Sequence, residues 1–328
     1  MASFSQFGND LYTGRRSLDF ISRRRIWFLI SALAVLIAIV VPILRGGYIF
    51  GIEFTGGSEF QISNVADADQ TLADDAVQSV VPDIVPRVST VGDNGIRVQT
   101  DQLSDDDSTA IRGALATAYS VDPADVTESF IGPSWGADIT GQALRGLLIF
   151  LALAFIFMAA YFRTWKMSIA AMVALLHDLI ITAGVYGIVG FEVTPAAVIG
   201  FLTILGYSLY DTVVVFDKIR ENTMGGEATS GRTFGESVNL AVNQTLVRSI
   251  NTSVVAILPI ASILFIGAAL LGAGTLRDIA LALFIGVLIG TYSTIFVAAP
   301  LYAALREGEA GIKKQSKRTL ELRAKSAV

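Results

Sequence analysis

The sequence predicts a polytopic α-helical membrane protein of six transmembrane helices, with a small extracytoplasmic α+β domain between helices 1 and 2. Three observations carry that class. The 328 residues are 53% hydrophobic and only 16% charged, with a mean hydropathy of +0.60, far more apolar than a soluble domain. Six apolar runs have the length a bilayer demands, about 20 residues each. Between the first and second runs lies an acidic stretch whose pattern alternates strand and helix periods.

Composition also narrows the chemistry. With no cysteine and a single histidine, neither a disulfide framework, a thiolate metal site nor a multi-histidine site is available. The net charge of −5 averages over acid and base that are segregated along the chain.

Residues 1–25 are polar and basic, with Arg15, Arg16, Arg23, Arg24 and Arg25. The apolar run that follows, 26–45, is too long for a signal-peptide core and lacks a small-residue cleavage site, so it reads as a retained first span with its N-terminus cytoplasmic. The Arg15-Arg16 pair is only a weak twin-arginine signal. Residues 46–138 are rich in aspartate, with Arg87, Arg97 and Arg112 as the only bases, which places them outside. Their pattern predicts strand 58–63, helix 66–80, strand 84–91, strand 96–100, helix 104–119 and strand 126–131. Asp93-Asn94-Gly95 supplies hairpin chemistry between the middle strands, and Ser104 with Asp105 can cap the second helix. The order βαββαβ is that of a ferredoxin-like domain.

Helices 2 to 6 occupy 139–305, with apolar runs at 143–162, 167–189, 194–216, 249–271 and 279–305. Their links alternate in charge: Arg163 and Lys166 mark one inside loop, Gly190-Phe191-Glu192 is base-free, and a cytoplasmic loop at about 218–247 carries an amphipathic helix at 233–245. The tail, 306–328, is basic and cytoplasmic.

Several polar groups fall inside these runs. Asp211 sits about two turns before the polar end of the fourth, where an ionised carboxylate costs roughly 2.5 kcal/mol or more; such residues usually face a bundle interior and mark an ion or proton path. His177 and Asp178 lie near the centre of the third run, where both groups titrate; a relay and a packing hydrogen bond are both compatible with that placement. Arg248 opens the fifth run among hydroxyls that include Ser249, Thr252 and Ser253. On the sixth, Gly290-Thr291-Tyr292-Ser293-Thr294 favours close helix packing. Asp217, beside Lys218 at the interface, reads as a solvated helix-end charge. Gly51-Ile52-Glu53-Phe54-Thr55-Gly56-Gly57 is a glycine-rich turn just outside the first span, but it lacks the G-K-[ST] ending and the following helix of a phosphate loop.

Two of these stretches resemble the SecD/SecF family of protein-export membrane proteins. Gly206-Tyr207-Ser208-Leu209-Tyr210-Asp211-Thr212-Val213-Val214-Val215-Phe216-Asp217-Lys218-Ile219-Arg220-Glu221 resembles the fourth span of SecF-type members, approximately G-Y-S-L-N-D-T-V-V-V-F-D-R-I-R-E. It departs at Tyr210, where the family has asparagine, and at Lys218. Residues 51–57 resemble the family's G-I-D-F-T-G-G, with Glu53 in place of aspartate. His177-Asp178 with Thr182 and Gly184 resembles its H-D-x-x-x-T-x-G stretch. The resemblance implies half of a twelve-span bundle of the RND type, completed by SecD.

The family further implies a proton-driven accessory of protein secretion that is not an enzyme and uses no cofactor beyond the proton gradient. Implied partners are SecD, the SecYEG channel, the SecA ATPase and YajC, the translocating polypeptide and membrane lipid, with no nucleic acid. Its setting is the bacterial plasma membrane. Asp211 and Arg248 are the implied proton-handling pair. An arginine that approaches and leaves a buried carboxyl makes it release and take up a proton in turn. Two alternatives remain at this point: a structural subunit that stabilises the Sec channel without a proton path, and an RND-like half-transporter of lipids or small molecules.

Overall fold

The computed structural model describes residues 4–92, 94–224, 231–267 and 274–326. Among the described residues six helices are long and apolar enough to cross a bilayer: Arg24–Leu44, Pro133–Phe162, Trp165–Val189, Pro195–Met224, the run Phe234–Gly267 and the run Thr275–Glu307. The first two leave leucine-rich faces open along their length, Leu29, Leu33 and Leu36 on one and Leu148, Leu153 and Ile156 on the other. The third and fourth are the interior of the bundle, with Ala174, Leu175, Ile204 and Leu205 almost inaccessible. Bilayer lipid is as apolar as these side chains, so close backbone approach must supply the packing. A Cβ added at Gly184 of the third span would lie 2.3 Å from Ala38 Cβ of the first, and one at Gly286 of the sixth 2.0 Å from Ile204 Cδ1 of the fourth.

The outer domain is a four-stranded antiparallel sheet built from β2 (Gly57–Ile62), β3 (Arg87–Thr90), β4 (Ile96–Thr100) and β5 (Val126–Ile131), in the order β3-β4-β2-β5. That order with two helices, Gln70–Val80 and Asp105–Ala118, is the ferredoxin-like arrangement. Phe60, Ile62, Ile96 and Val98 alternate onto the helix-covered face and meet Val77, Ile111 and Leu115 in a closed core. Ser104 caps the second helix as its sequence suggested, accepting from Asp107 N.

Several boundaries differ from the periodicity for local reasons. The first outer helix begins at Gln70 rather than 66, because the Asp69 carboxylate caps Thr71 N. The strand expected from 84 starts only at Arg87, since Pro86 lacks an N–H for the ladder. The second span starts at Pro133, a residue with no donor to lose at a helix start. The amphipathic stretch 233–245 is no separate loop helix: Thr233 and Glu236 form a capping box, and the helix runs unbroken from Phe234 to Ala261. Asp93 of the expected hairpin and residues 268–271 of the fifth apolar run lie outside the described residues.

Two further elements tie the parts together. The N-terminal stretch is anchored beneath the bundle, with Asn243 Oδ1 accepting from Leu18 N at 2.8 Å and Asn239 Oδ1 from Phe20 N at 2.9 Å. Outside, β1 (Ile49–Phe50) pairs in parallel with β6 (Glu192–Val193), joining the stalk of the outer domain to the link between spans three and four.

Candidate functional site

Helical geometry sorts the fourth-span motif before any partner is considered. Residues 208, 211, 212 and 215 fall on one face at a repeat of three and four, and Ser208, Asp211, Thr212 and Val215 are all buried. Tyr210 is 55% exposed and points outward, so its departure from the family pattern does not touch the carboxylate. Gly206 stands clear of neighbouring side chains, and Tyr207 buries its hydroxyl.

Asp211 is 5% exposed. Its Oδ1 accepts from Ser249 Oγ at 2.9 Å, while Oδ2 is buried with no hydrogen-bond partner among the described residues. Arg248, the residue before Ser249, turns to the exposed side of the fifth span, and no ion pair joins it to Asp211 among the described residues. It is nonetheless near enough for its charge to act on the carboxylate through space. Thr252 donates to the Arg248 carbonyl, at 2.8 Å.

Hydroxyls surround this centre. Thr212 and Thr294 share a hydrogen bond at 3.0 Å, and Ser253 and Thr291 one at 2.5 Å, linking spans four, five and six. Thr294 opens a π-helical segment, Thr294–Ala298, that interrupts the sixth span; local widening of this kind is frequent at functional positions.

A second carboxylate, carried by the third span, meets the same face of the fourth span. Asp178 is fully buried; its Oδ2 accepts from Ser208 Oγ at 2.6 Å and its Oδ1 faces His177 Nδ1 at 3.2 Å. The His177 ring stacks on Tyr292 at 6.0 Å, and the Tyr292 hydroxyl reaches Ser31 of the first span at 3.1 Å. His177 Nε2 is buried with no hydrogen-bond partner among the described residues. Spans one, three, four and six thus meet in one polar core, and Ser208 stands one turn from Asp211 between the two carboxylates. Asp217 accepts from Tyr161 at 3.0 Å near the inner end.

The glycine-rich turn serves the outer domain. Ile52, Glu53, Phe54 and Thr55 form a single helical turn, and Gly51 N donates to Val193 O at 3.0 Å. Gly56 and Gly57 adopt φ of 78° and 142°, and a Cβ on Gly57 would lie 2.3 Å from Thr100 O. The turn therefore welds the membrane end of the domain to the sheet.

Ser31 was not singled out by sequence, and Tyr292 was read only as part of a helix-packing stretch. Ser249 was legible as a hydroxyl beside Arg248, but its facing Asp211 depends on which side of the fifth helix turns inward, and that face is set by packing.

A six-span bundle with buried carboxylates between helices and one ferredoxin-like outer domain defines a membrane protein of the transport type. The profile of the family described as protein export membrane protein SecD/SecF, C-terminal, matches residues 112–308. Protein translocase subunit SecF of Streptomyces coelicolor is 44% identical over all of this chain and 87% of its own length. The corresponding subunit of Mycobacterium tuberculosis is 41% identical over 97% of this chain and 73% of its own. The crystal structure of SecDF, a translocon-associated membrane protein from Thermus thermophilus, superposes with a TM-score of 0.77 at 28% identity, covering 89% of this chain and 39% of that one. The chain spans about two fifths of that solved protein. It belongs to the SecD/SecF family, on its SecF side.

Proposed function

We propose that this protein is the SecF-type subunit of a proton-driven accessory to protein export in the bacterial plasma membrane, with both termini cytoplasmic. The observation that carries the reading is the Asp211 carboxylate, buried between spans, held through one oxygen by Ser249 and unpartnered at the other. A protonated carboxyl removes the buried charge and with it the largest desolvation cost, whereas the ionised form needs a compensating charge. A rotation about the fifth span would bring Arg248 in to supply it. As the guanidinium closes on Asp211 the proton leaves; as it withdraws, a proton is taken up again.

Arg248 also argues for a partner. A cation on the exposed face of a span is costly against lipid, and beside it Ile250, Val254, Val255 and Leu258 form an open apolar face. A SecD subunit of similar topology would cover this face. Protons entering from outside release roughly 2.3 kcal/mol per charge per 100 mV. That energy moves the outer domain, which engages the translocating polypeptide emerging from the SecYEG channel after SecA has begun export; YajC is a further expected member. No cofactor and no covalent chemistry are needed.

The test is gradient-dependent export of a secreted precursor into inverted membrane vesicles, with Asp211→Asn and Arg248→Met at matched expression and assembly. Both variants should lose the gradient-dependent part of export and keep the ATP-dependent part. Export that follows the gradient in both would make the chain a structural subunit.

A further inference from the structure

The outer mouth of the bundle holds a group of charges that the Asp211 mechanism does not use. Glu53 lies on the helical turn after β1, and Glu192 on β6, the strand paired with β1. Gly51 separates them. A Cβ at that glycine would stand 2.3 Å from Glu53 Oε2 and 3.2 Å from Glu192 Oε1. Those same two oxygens are buried with no hydrogen-bond partner among the described residues.

The remaining contacts show what surrounds the pair. Arg97 on β4 divides itself between Glu192 Oε2 and Glu59 Oε1, at 3.8 Å each. Glu59 Oε2 also accepts from Gln99 at 3.0 Å. From the sixth span Asp278 accepts from Thr194 Oγ1 at 2.8 Å, with Arg277 beside it, and Thr194 in turn accepts from Ala197 N at the start of the fourth span. The cavity between them, about 330 Å³, is lined by Glu53, Glu59, Arg97, Thr194, Thr275 and Asp278. Arg97 offsets one carboxylate and shares itself over two, so an ionised Glu53 has no cation of its own. Two ionised carboxylates facing over a glycine repel, whereas one proton between them makes a charge-assisted hydrogen bond.

The geometry points to Glu53 and Glu192 as a proton-operated clasp between the stalk of the outer domain and the head of the span that carries Asp211. With one proton shared the clasp closes; with both carboxylates ionised it opens. The inference rests on the proton-coupled reading for its place in export, but the clasp is measurable without export. Burial, the main influence, holds Glu53 and Glu192 above the usual carboxylate range, with the Glu192 charge adding to the shift at Glu53. Carboxyls raised in this way favour the closed form on the acid side, and that preference is lost as pH rises through the raised values. The outer face of a respiring membrane is the acid side. Glutamate reaches over Gly51 with one methylene more than aspartate, so its length is part of the device.

The absence of cysteine permits direct double labelling. Spin labels at Ser89→Cys on β3 and Val189→Cys at the end of the third span, both exposed, read the separation of domain and bundle in the full chain assembled with its partner in lipid nanodiscs. Closure predicts a narrow distance distribution at acid pH that becomes longer and broader as pH rises. Glu53→Gln and Glu192→Gln each mimic the protonated group and should hold the narrow distribution at every pH. Asp211→Asn should leave the pH response intact, which separates the clasp from the intramembrane site. A distribution that ignores pH in the unsubstituted chain, a full pH response in both glutamine variants, or loss of the response in Asp211→Asn would each overturn the proposal.

Discussion

Ser208 donates to the Asp178 carboxylate at 2.6 Å, one helical turn from Asp211 on the same face of the fourth span. One side of a single helix therefore serves both buried acids, carrying Asp211 itself and holding Asp178 through the Ser208 hydroxyl. Removing the hydroxyl by Ser208→Ala leaves a fully buried carboxylate oxygen unsatisfied, at a cost of about 1–3 kcal/mol. The thermal midpoint in detergent should fall. Asp178→Asn in the same background should recover part of the loss, because a neutral amide tolerates the missing donor better than a carboxylate does.

Packing of the fourth against the sixth span depends on a missing side chain. A Cβ at Gly286 would collide with Ile204, so Gly286→Ala should destabilise the bundle by about 1–3 kcal/mol, the usual cost of overpacking. Shortening the obstacle with Ile204→Val should suppress part of that loss. The comparison is made by thermal unfolding of the single and double variants.

In the outer domain the Tyr119 hydroxyl donates to Asp69 O at 2.6 Å, and burial pushes its phenol up to about 12. The folded domain thus favours neutral tyrosine, so stability is unaffected below the ordinary phenol range and declines as pH rises from about 10 toward the raised value. Alkaline unfolding followed by tyrosinate absorbance should show this decline. Tyr119→Phe should abolish it while costing about 1 kcal/mol at neutral pH for the lost hydrogen bond.

At the end of the bundle away from the sheet domain, Glu309 bridges Lys166 Nζ at 2.8 Å and Arg306 Nε at 3.0 Å. The hydrogen bond from Lys166, aided by Arg306, holds its carboxyl below the usual range. Such a group stabilises above its ordinary value and loses that contribution as pH falls through the lowered one. Because the bridge is partly exposed, Glu309→Gln should cost no more than about 1 kcal/mol, and raising the salt concentration should shrink the difference.

Much of this architecture is written in local pattern. The spans follow from apolar runs, and the ferredoxin-like order follows from Phe60, Ile62, Ile96 and Val98 alternating against two short helical patterns. Asp211 was conspicuous because no other acid sits so deep in the fourth run. What local pattern cannot carry is rotation about a helix axis. Arg248 and Ser249 are neighbours in sequence, and only the packed bundle shows that the serine faces Asp211 while the arginine faces outward. Glu53 and Glu192, 139 positions apart, are brought to the two sides of Gly51 by the two-residue pairing of β1 with β6, too short a pattern to read in advance. Fusion of the 233–245 helix with the fifth span escaped for another reason: its polar face suited a surface helix, while Asn239 and Asn243 in fact grip the N-terminal stretch.

Whether Asp211 changes protonation is most directly seen by difference infrared spectroscopy of the assembled complex in lipid, comparing acid with alkaline medium in the carboxyl C=O stretching region. A proton-handling Asp211 predicts a protonated-carboxyl band at acid pH that disappears in Asp211→Asn and shifts in Ser249→Ala, whose hydroxyl it accepts from. A carboxyl difference spectrum identical in the unsubstituted protein and in Asp211→Asn would contradict proton transfer at this residue.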